Sequence, residues 1–157
     1  IDRTNEMNFQ EFQASKVRHA NLQSVEALDC LSDDERPVYV YGGDTYIHIN
    51  GDGTYTLQLY REEWTTDNLT ELEARLYVWC QTECPDAMGL NENDHAALCT
   101  AIDVDGGMER AVLAYVYCDY CDKQGLPAMS ADELIFETLT AEQRSWVSNF
   151  IRRWEAI

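Results

Sequence analysis

Four consecutive residues, Asn50-Gly51-Asp52-Gly53, constrain the fold of this chain more than any others. Asn, Asp and Gly accept the positive φ angles that a tight hairpin needs. They sit between two runs, TYIHIN and YTLQLY, whose side chains alternate in character. Alternation puts Tyr46, His48 and Asn50 on one face and Ile47 and Ile49 on the other. Tyr55, Leu57 and Leu59 then alternate with Thr56, Gln58 and Tyr60. An earlier run, VYVY, is set off by the turn residues Gly42-Gly43-Asp44. Residues 38–66 therefore read as a three-stranded antiparallel meander, with YTLQLYREEWTT as its third strand.

The rest of the chain has helical period. Residues 8–22 place Phe9, Phe12, Lys16 and His19 near one face, with Val17 and Leu22 beside them, which predicts an amphipathic N-terminal helix. Ser32–Arg36 reads as a polar turn, closed by Pro37. Residues 68–84 form the clearest helix: Asn68 and Glu71 are spaced as a capping box, Leu69, Leu72, Leu76 and Trp79/Cys80 recur at helical spacing, and Pro85 stops it. Asn91 caps a further helix to Ile102, with Asp94 in its first turn and Leu98 facing inward. Residues 103–107 (DVDGG) break it. Residues 108–124 are apolar almost all round, so they predict a buried central helix that ends at Gly125, with a strand over 111–117 as the alternative. Ser130/Glu133 and Thr140/Gln143 open two more helices. The last carries Trp146, Val147, Phe150, Ile151 and Trp154 on one face, either a core stripe or, if exposed, a seam for a protein contact or homodimer. The expected class is α+β: a meander packed with an N-terminal helix and followed by a helical C-terminal half, with residues 1–157 forming a single acidic domain.

Charge narrows the function. Asp and Glu number 29 against 11 Lys and Arg, a net charge of −18. Residues 37–109 hold fourteen acids and two bases, Arg61 and Arg75, and no Lys or Arg falls between Leu76 and Glu109. Direct binding to DNA, RNA or an anionic membrane demands clustered bases and is not expected. No apolar run approaches the ~20 residues of a membrane-spanning helix. The opening IDRTNEMNFQEF has neither a basic nor an apolar segment of a secretory signal. The expected location is therefore cytoplasmic, a reducing compartment with free thiols.

Six cysteines, Cys30, Cys80, Cys84, Cys99, Cys118 and Cys121, raise the question of metal. Cys80/Cys84 and Cys118/Cys121 are two closely spaced pairs of the kind that builds a tetrahedral thiolate zinc site, and His95 with Cys99 could replace either. Both pairs, however, sit at helix ends among Tyr and Trp, and Glu83, Asp86, Asp119 and Asp122 work against thiolate formation. The expectation is no metal and no cofactor, with small buried thiols instead. A redox role for Cys118-Asp119-Tyr120-Cys121 fails because the pair falls at a helix C-terminus rather than an N-terminus. Asp103, Asp105 and Glu109 lack the spacing of a calcium loop. His19, His48 and His95 stand in no hydrolytic or P-loop motif, and the chain is not expected to be an enzyme.

A segment of such charge repels itself, and a basic partner would offset that cost. The expectation is an acidic binding protein that inhibits or regulates a nucleic-acid-binding protein by presenting a DNA-like carboxylate surface. Antirestriction and anti-CRISPR proteins of phages and mobile elements work in this way, although no motif ties the chain to any such family. The residues expected to contact the partner are Glu62, Glu63, Asp67, Glu71, Glu73, Glu83, Asp86, Glu92 and Asp94. The alternatives are a zinc-stabilised intracellular adaptor and a protein adapted to high salt, the latter suggested by only two lysines, Lys16 and Lys123, against nine arginines.

Overall fold

The computed structural model describes residues 6–19, 37–41, 45–127 and 130–136, together with residues 141, 142, 145 and 149. The class is α+β, as the sequence pattern predicts, and the chain divides into two compact units: Asn8–Leu76, and Ile1–Met7 with Tyr77–Ile157.

The first unit opens with helix α1 (Phe9–Ala14), capped by a reciprocal Asn8/Glu11 box in which the Glu11 N–H donates to Asn8 Oδ1 at 2.8 Å. Five strands follow: β1 (Val17–His19), β2 (Val38–Tyr41), β3 (Thr45–Ile49), β4 (Tyr55–Leu59) and β5 (Glu62–Thr66). They form one sheet in sequence order, each antiparallel to the next. The expected three strands are thus five, for two separate reasons.

The helix expected over residues 8–22 stops at Ala14. The Ser15 hydroxyl donates to the Phe12 carbonyl at 2.6 Å, a local bond that competes with continued helix. Val17, Arg18 and His19 instead pair with Val40, Tyr39 and Val38, and the sheet supplies the backbone partners that the helix would have given. The second departure is that YTLQLYREEWTT folds back on itself. Tyr60-Arg61 forms a two-residue connection that pairs Leu59 with Glu62. Tyr60 has φ +54°, a left-handed conformation more usual for Gly or Asn, and this hairpin therefore carries no turn signature in the sequence. The Asn50–Gly53 turn does form, with Gly51 at φ +86° and Gly53 at +91°, and the Asn50 amide bonds to Thr54 and Thr56.

Register separates the two faces of the sheet. Tyr39 pairs with Ile47 and Leu57 with Trp64, whereas His48 pairs with Thr56 and Thr56 with Thr65. The first set faces helix. Tyr41 stacks on Phe12 of α1 with ring centroids 5.1 Å apart, and Phe9, Phe12, Tyr41, Ile47 and Leu57 are all buried.

Helix α2 (Leu69–Glu83) runs from the first unit into the second. Half of its expected capping box is present: the Glu71 N–H donates to Asn68 Oδ1 at 3.3 Å, while the Asn68 N–H donates to Thr66 Oγ1.

The second unit is helical. Helix α3 (Glu92–Asp103) starts at Asn91, whose side chain accepts from the Asp94 N–H. Helix α4 (Gly107–Gln124) ends at Gly125 in the left-handed conformation, and helix α5 (Ala131–Phe136) follows. The strand alternative over residues 111–117 is overturned. This apolar stretch is the centre of the unit, where Ala111, Ala114, Tyr117 and Cys121 join Val78, Leu98, Leu134 and Ile135 in one core. Gly107 permits a close approach of α3 and α4, since a Cβ there would lie 2.1 Å from the Ala101 carbonyl oxygen. Met7 ties the start of the chain to this unit: its N–H donates to the Met88 carbonyl, and its own carbonyl accepts from Tyr77 Oη at 2.6 Å.

Trp146, Val147, Phe150, Ile151 and Trp154 of the expected last helix lie outside the described residues, as do Cys30, the turn at 32–36 and Gly42–Asp44.

Candidate interaction surface

In the first unit, three of the expected contact residues are exposed. Glu62 and Glu63 lie on β5, and Asp67 follows it. Glu63 pairs with Gln58 and shares the polar face with Thr65 and Thr56. Glu71 is half-buried, with Oε1 4.0 Å from Arg75 Nη2.

Glu73 does not belong to the surface. It is 2% exposed, and its carboxylate accepts from Lys16 Nζ at 3.3 Å and Gln13 Nε2 at 3.4 Å. Glu73 sits one turn before buried Tyr77, so the period of α2 carries it into the core, where charge survives only if it is paired. Burial pushes the Glu73 carboxyl above its ordinary range, while Lys16, Gln13 and Tyr41 pull it back. The same burial raises the Tyr41 phenol, and Glu73 raises it further.

Arg75 is also withdrawn from the surface. It is 3% exposed, with its guanidinium 4.6 Å from the Trp64 ring centroid. Only Arg61 remains an exposed base among the described residues of segment 37–109, against ten exposed carboxylates. Internal pairing thus removes one of the segment's two bases and leaves most of its acids in water.

In the second unit, Glu83, Asp86 and Glu92 are exposed. Asp94 is half-buried and accepts from Asn91 Nδ2 at 3.1 Å, so part of its capacity serves the start of α3. Asp103, Asp105 and Glu109 are exposed around the α3–α4 turn.

The cysteines do not gather. Cys80, Cys84, Cys99, Cys118 and Cys121 are free thiols, and no group of three or more His, Cys, Asp or Glu side chains converges on a metal position among the described residues. Cys121 is in the helical core and Cys118 packs against it. Burial first, then the charges of Cys121, Asp119, Asp132 and Glu133, push the Cys118 thiol up to about 11, so by itself it stays un-ionised at neutral pH. His95 and Cys99 do approach, with Sγ 3.4 Å from Nε2. That nitrogen lies 2.8 Å from the Thr82 carbonyl oxygen and must carry the proton to bond it, so it cannot accept one from the thiol.

One concavity lies wholly within the second unit. It measures about 180 Å³ and is lined by buried Leu98 and Ile135, by Phe136, and by Glu6, Asp94 and Asp132. Gln81 also reaches it. Three of these residues, Gln81, Asp132 and Glu6, were not legible as site residues. The one available signal is Gln81 itself, a polar residue one turn after Tyr77, where the period of α2 demands burial.

No family model matches the chain, and neither a curated protein nor a solved structure matches it. No helix among the described residues is long and apolar enough to cross a membrane.

Proposed function

We propose that this chain is a non-enzymatic acidic binding protein that occupies the basic, nucleic-acid-binding surface of another protein. The observation that supports it most is the imbalance on the described residues of segment 37–109, where ten carboxylates are exposed against the single exposed base Arg61. Carboxylates held on the edge strand β5 of the first unit, and those around α3 of the second, are each fixed by their own unit's backbone, so each set acts as a preformed field rather than as a mobile tail. Such a field steers association and sets its sign, and its effect weakens as salt shortens the screening length to ~8 Å at physiological strength. Glu62, Glu63, Asp67, Glu83, Asp86 and Glu92 carry the role. Glu71 and Asp94 contribute less because each is partly used within its own helix.

The test is affinity capture from a host lysate with the whole chain as bait, washed in rising salt, with the eluate identified by mass spectrometry. The expected result is one nucleic-acid-binding protein, released by salt and displaced by duplex DNA. Capture of background proteins alone, or of a partner indifferent to DNA, contradicts the proposal.

A further inference from the structure

Strand β5 ends the sheet, and no described strand pairs with its outer side. Its pairing with β4 fixes which backbone groups face outwards. Tyr60-Arg61 is a two-residue connection, so Leu59 and Glu62 exchange backbone bonds, and every second pair after them does the same. Glu62, Trp64 and Thr66 therefore bond β4. The other side of β4 has the complementary phase: the Asn50 N–H donates to the Thr54 carbonyl, and Thr56 pairs with His48 of β3. The N–H and C=O groups of Glu63 and Thr65 are left pointing away from the sheet, and both residues are exposed.

An open edge is a template for another strand, and natural edges are commonly guarded by Lys, Pro, a bulge or a covering element. β5 has no Lys or Pro, and its register with β4 runs from Glu62 to Thr66 without a bulge. Its guard is acidic: Glu62 and Glu63 are exposed, and exposed Asp67 follows. Such an edge turns away a strand of like charge. A second copy of this chain would bring its own Glu62, Glu63 and Asp67 to the seam. A strand with Lys or Arg opposite Glu63 is stabilised instead, because facing side chains lie ~5 Å apart and opposite charges there attract. Tyr60, 75% exposed at the head of the strand, adds an aromatic ring of the kind enriched in protein contacts. The opposite edge, β1, is only three residues long, and the chain after it lies outside the described residues. We propose that the free edge of β5 takes an extended, lysine- or arginine-bearing segment of the partner protein as an added antiparallel strand. This rests on the reading that the partner's surface is basic. Main-chain bonds to Glu63 and Thr65 set the register, and the carboxylates set the sign of charge that is admitted.

The experiment uses the whole ¹⁵N-labelled chain and the probe peptide Ac-Lys-Thr-Lys-Val-Lys-Thr-NH₂, followed by NMR and amide hydrogen exchange. In the free chain the Glu63 and Thr65 amides are expected to exchange faster than that of Trp64. The peptide should protect Glu63 and Thr65 and leave Trp64 unchanged. A lysine opposite Glu63 bonds through its own backbone N–H, so N-methylation of the peptide's lysines should weaken it ~10-fold, the scale of two net hydrogen bonds. The isomer N-methylated on Thr and Val has the same charge and should bind like the parent peptide. Thr65→Pro removes an outward N–H and none of the bonds to β4, a place where an edge strand tolerates proline, and should weaken binding ~10-fold. Glu63→Gln should weaken it ~3-fold and reads the edge even if Thr65→Pro misfolds. Equal binding of the lysine-methylated peptide, no protection at Glu63 and Thr65, or unchanged affinity in Glu63→Gln would each overturn the assignment. Protection of both amides that grows with protein concentration alone would make a second copy the occupant and overturn it too. The two readings fail separately. Capture of a basic partner from lysate together with a silent peptide titration removes only the edge assignment. The expected peptide pattern with no partner captured upholds the edge and removes the surface reading.

Discussion

Among the described residues, each unit of this protein buries one carboxylate, and each answers it with one of the chain's two lysines. In the sheet unit Glu73, 2% exposed, meets Lys16 at 3.3 Å; in the helical unit Asp119, 4% exposed, meets Lys123 at 2.8 Å. The resemblance ends there. Asp119 and Lys123 are four residues apart on α4, with the acid N-terminal to the base, a local pair in the favourable orientation. Glu73 and Lys16 are separated by 57 residues and join α2 to the junction of α1 and β1, with Gln13 drawn into the same network. The local pair follows from helix geometry. The distant pair exists only once the unit has folded, so it reports on tertiary structure. Both lysines pair with buried acids.

Three substitutions separate the units by what holds each together, in decreasing order of expected effect. Gly107→Ala should cost about 3 kcal/mol, the upper end for overpacking, because a new Cβ at 2.1 Å from a backbone oxygen forces α3 and α4 apart. Chemical denaturation should show it, with hydrogen exchange rising first in α3 and α4. A loss below ~1 kcal/mol would mean that these helices adjust freely.

Lys16→Met should cost about 2 kcal/mol at pH 8. Removing one partner of a buried pair costs more than that, but Lys16 is 34% exposed and water already screens part of its charge. The sign of the pH dependence follows from the raised Glu73 carboxyl. The folded state holds that proton more tightly than the unfolded chain does, so ionisation costs stability as pH rises from the ordinary glutamate value through the raised one. Loss of Lys16 raises it further. The penalty in Lys16→Met should therefore shrink as pH falls towards 4, where Glu73 is protonated and needs no cation. Adding Glu73→Gln, both to the parent chain and to Lys16→Met, should remove this pH-dependent difference, read from paired denaturation curves at pH 4.5 and 8. A penalty that stays constant over that range would break the contrast with the helical unit.

Lys123→Met should cost less, about 0.5–1 kcal/mol, since Lys123 is 60% exposed and its pair is local. If it proved more damaging than Lys16→Met, the distinction between local and distant pairing would be wrong.

Local rules were legible and long-range ones were not. Asn91, Asn68 and Ser130 cap helices where their spacing to Asp94, Glu71 and Glu133 predicts, and Gly125 ends α4 in the left-handed conformation. The Asn50–Gly53 turn was readable because its residues advertise positive φ. The Tyr60-Arg61 hairpin was not, because an ordinary tyrosine takes that conformation. β1 was hidden for another reason: Phe9 and Phe12 set a helical period that Ser15 ends, and only pairing with VYVY makes Val17–His19 a strand. Of the nine acids expected on the surface, Glu73 alone is buried. Its fate depended on Lys16 and Gln13, some sixty residues away, which no window along the sequence contains.

The central claim, that the exposed carboxylates form the contact surface, is tested most directly by repeating the lysate capture with Glu62→Lys, Glu63→Lys, Glu83→Lys and Asp86→Lys combined. All four residues are exposed, so circular dichroism and thermal unfolding should match those of the parent chain to within ~0.5 kcal/mol per site. The account predicts that the variant no longer retains the basic partner at any salt concentration. A folded variant that captures the same partner with undiminished salt resistance would contradict it.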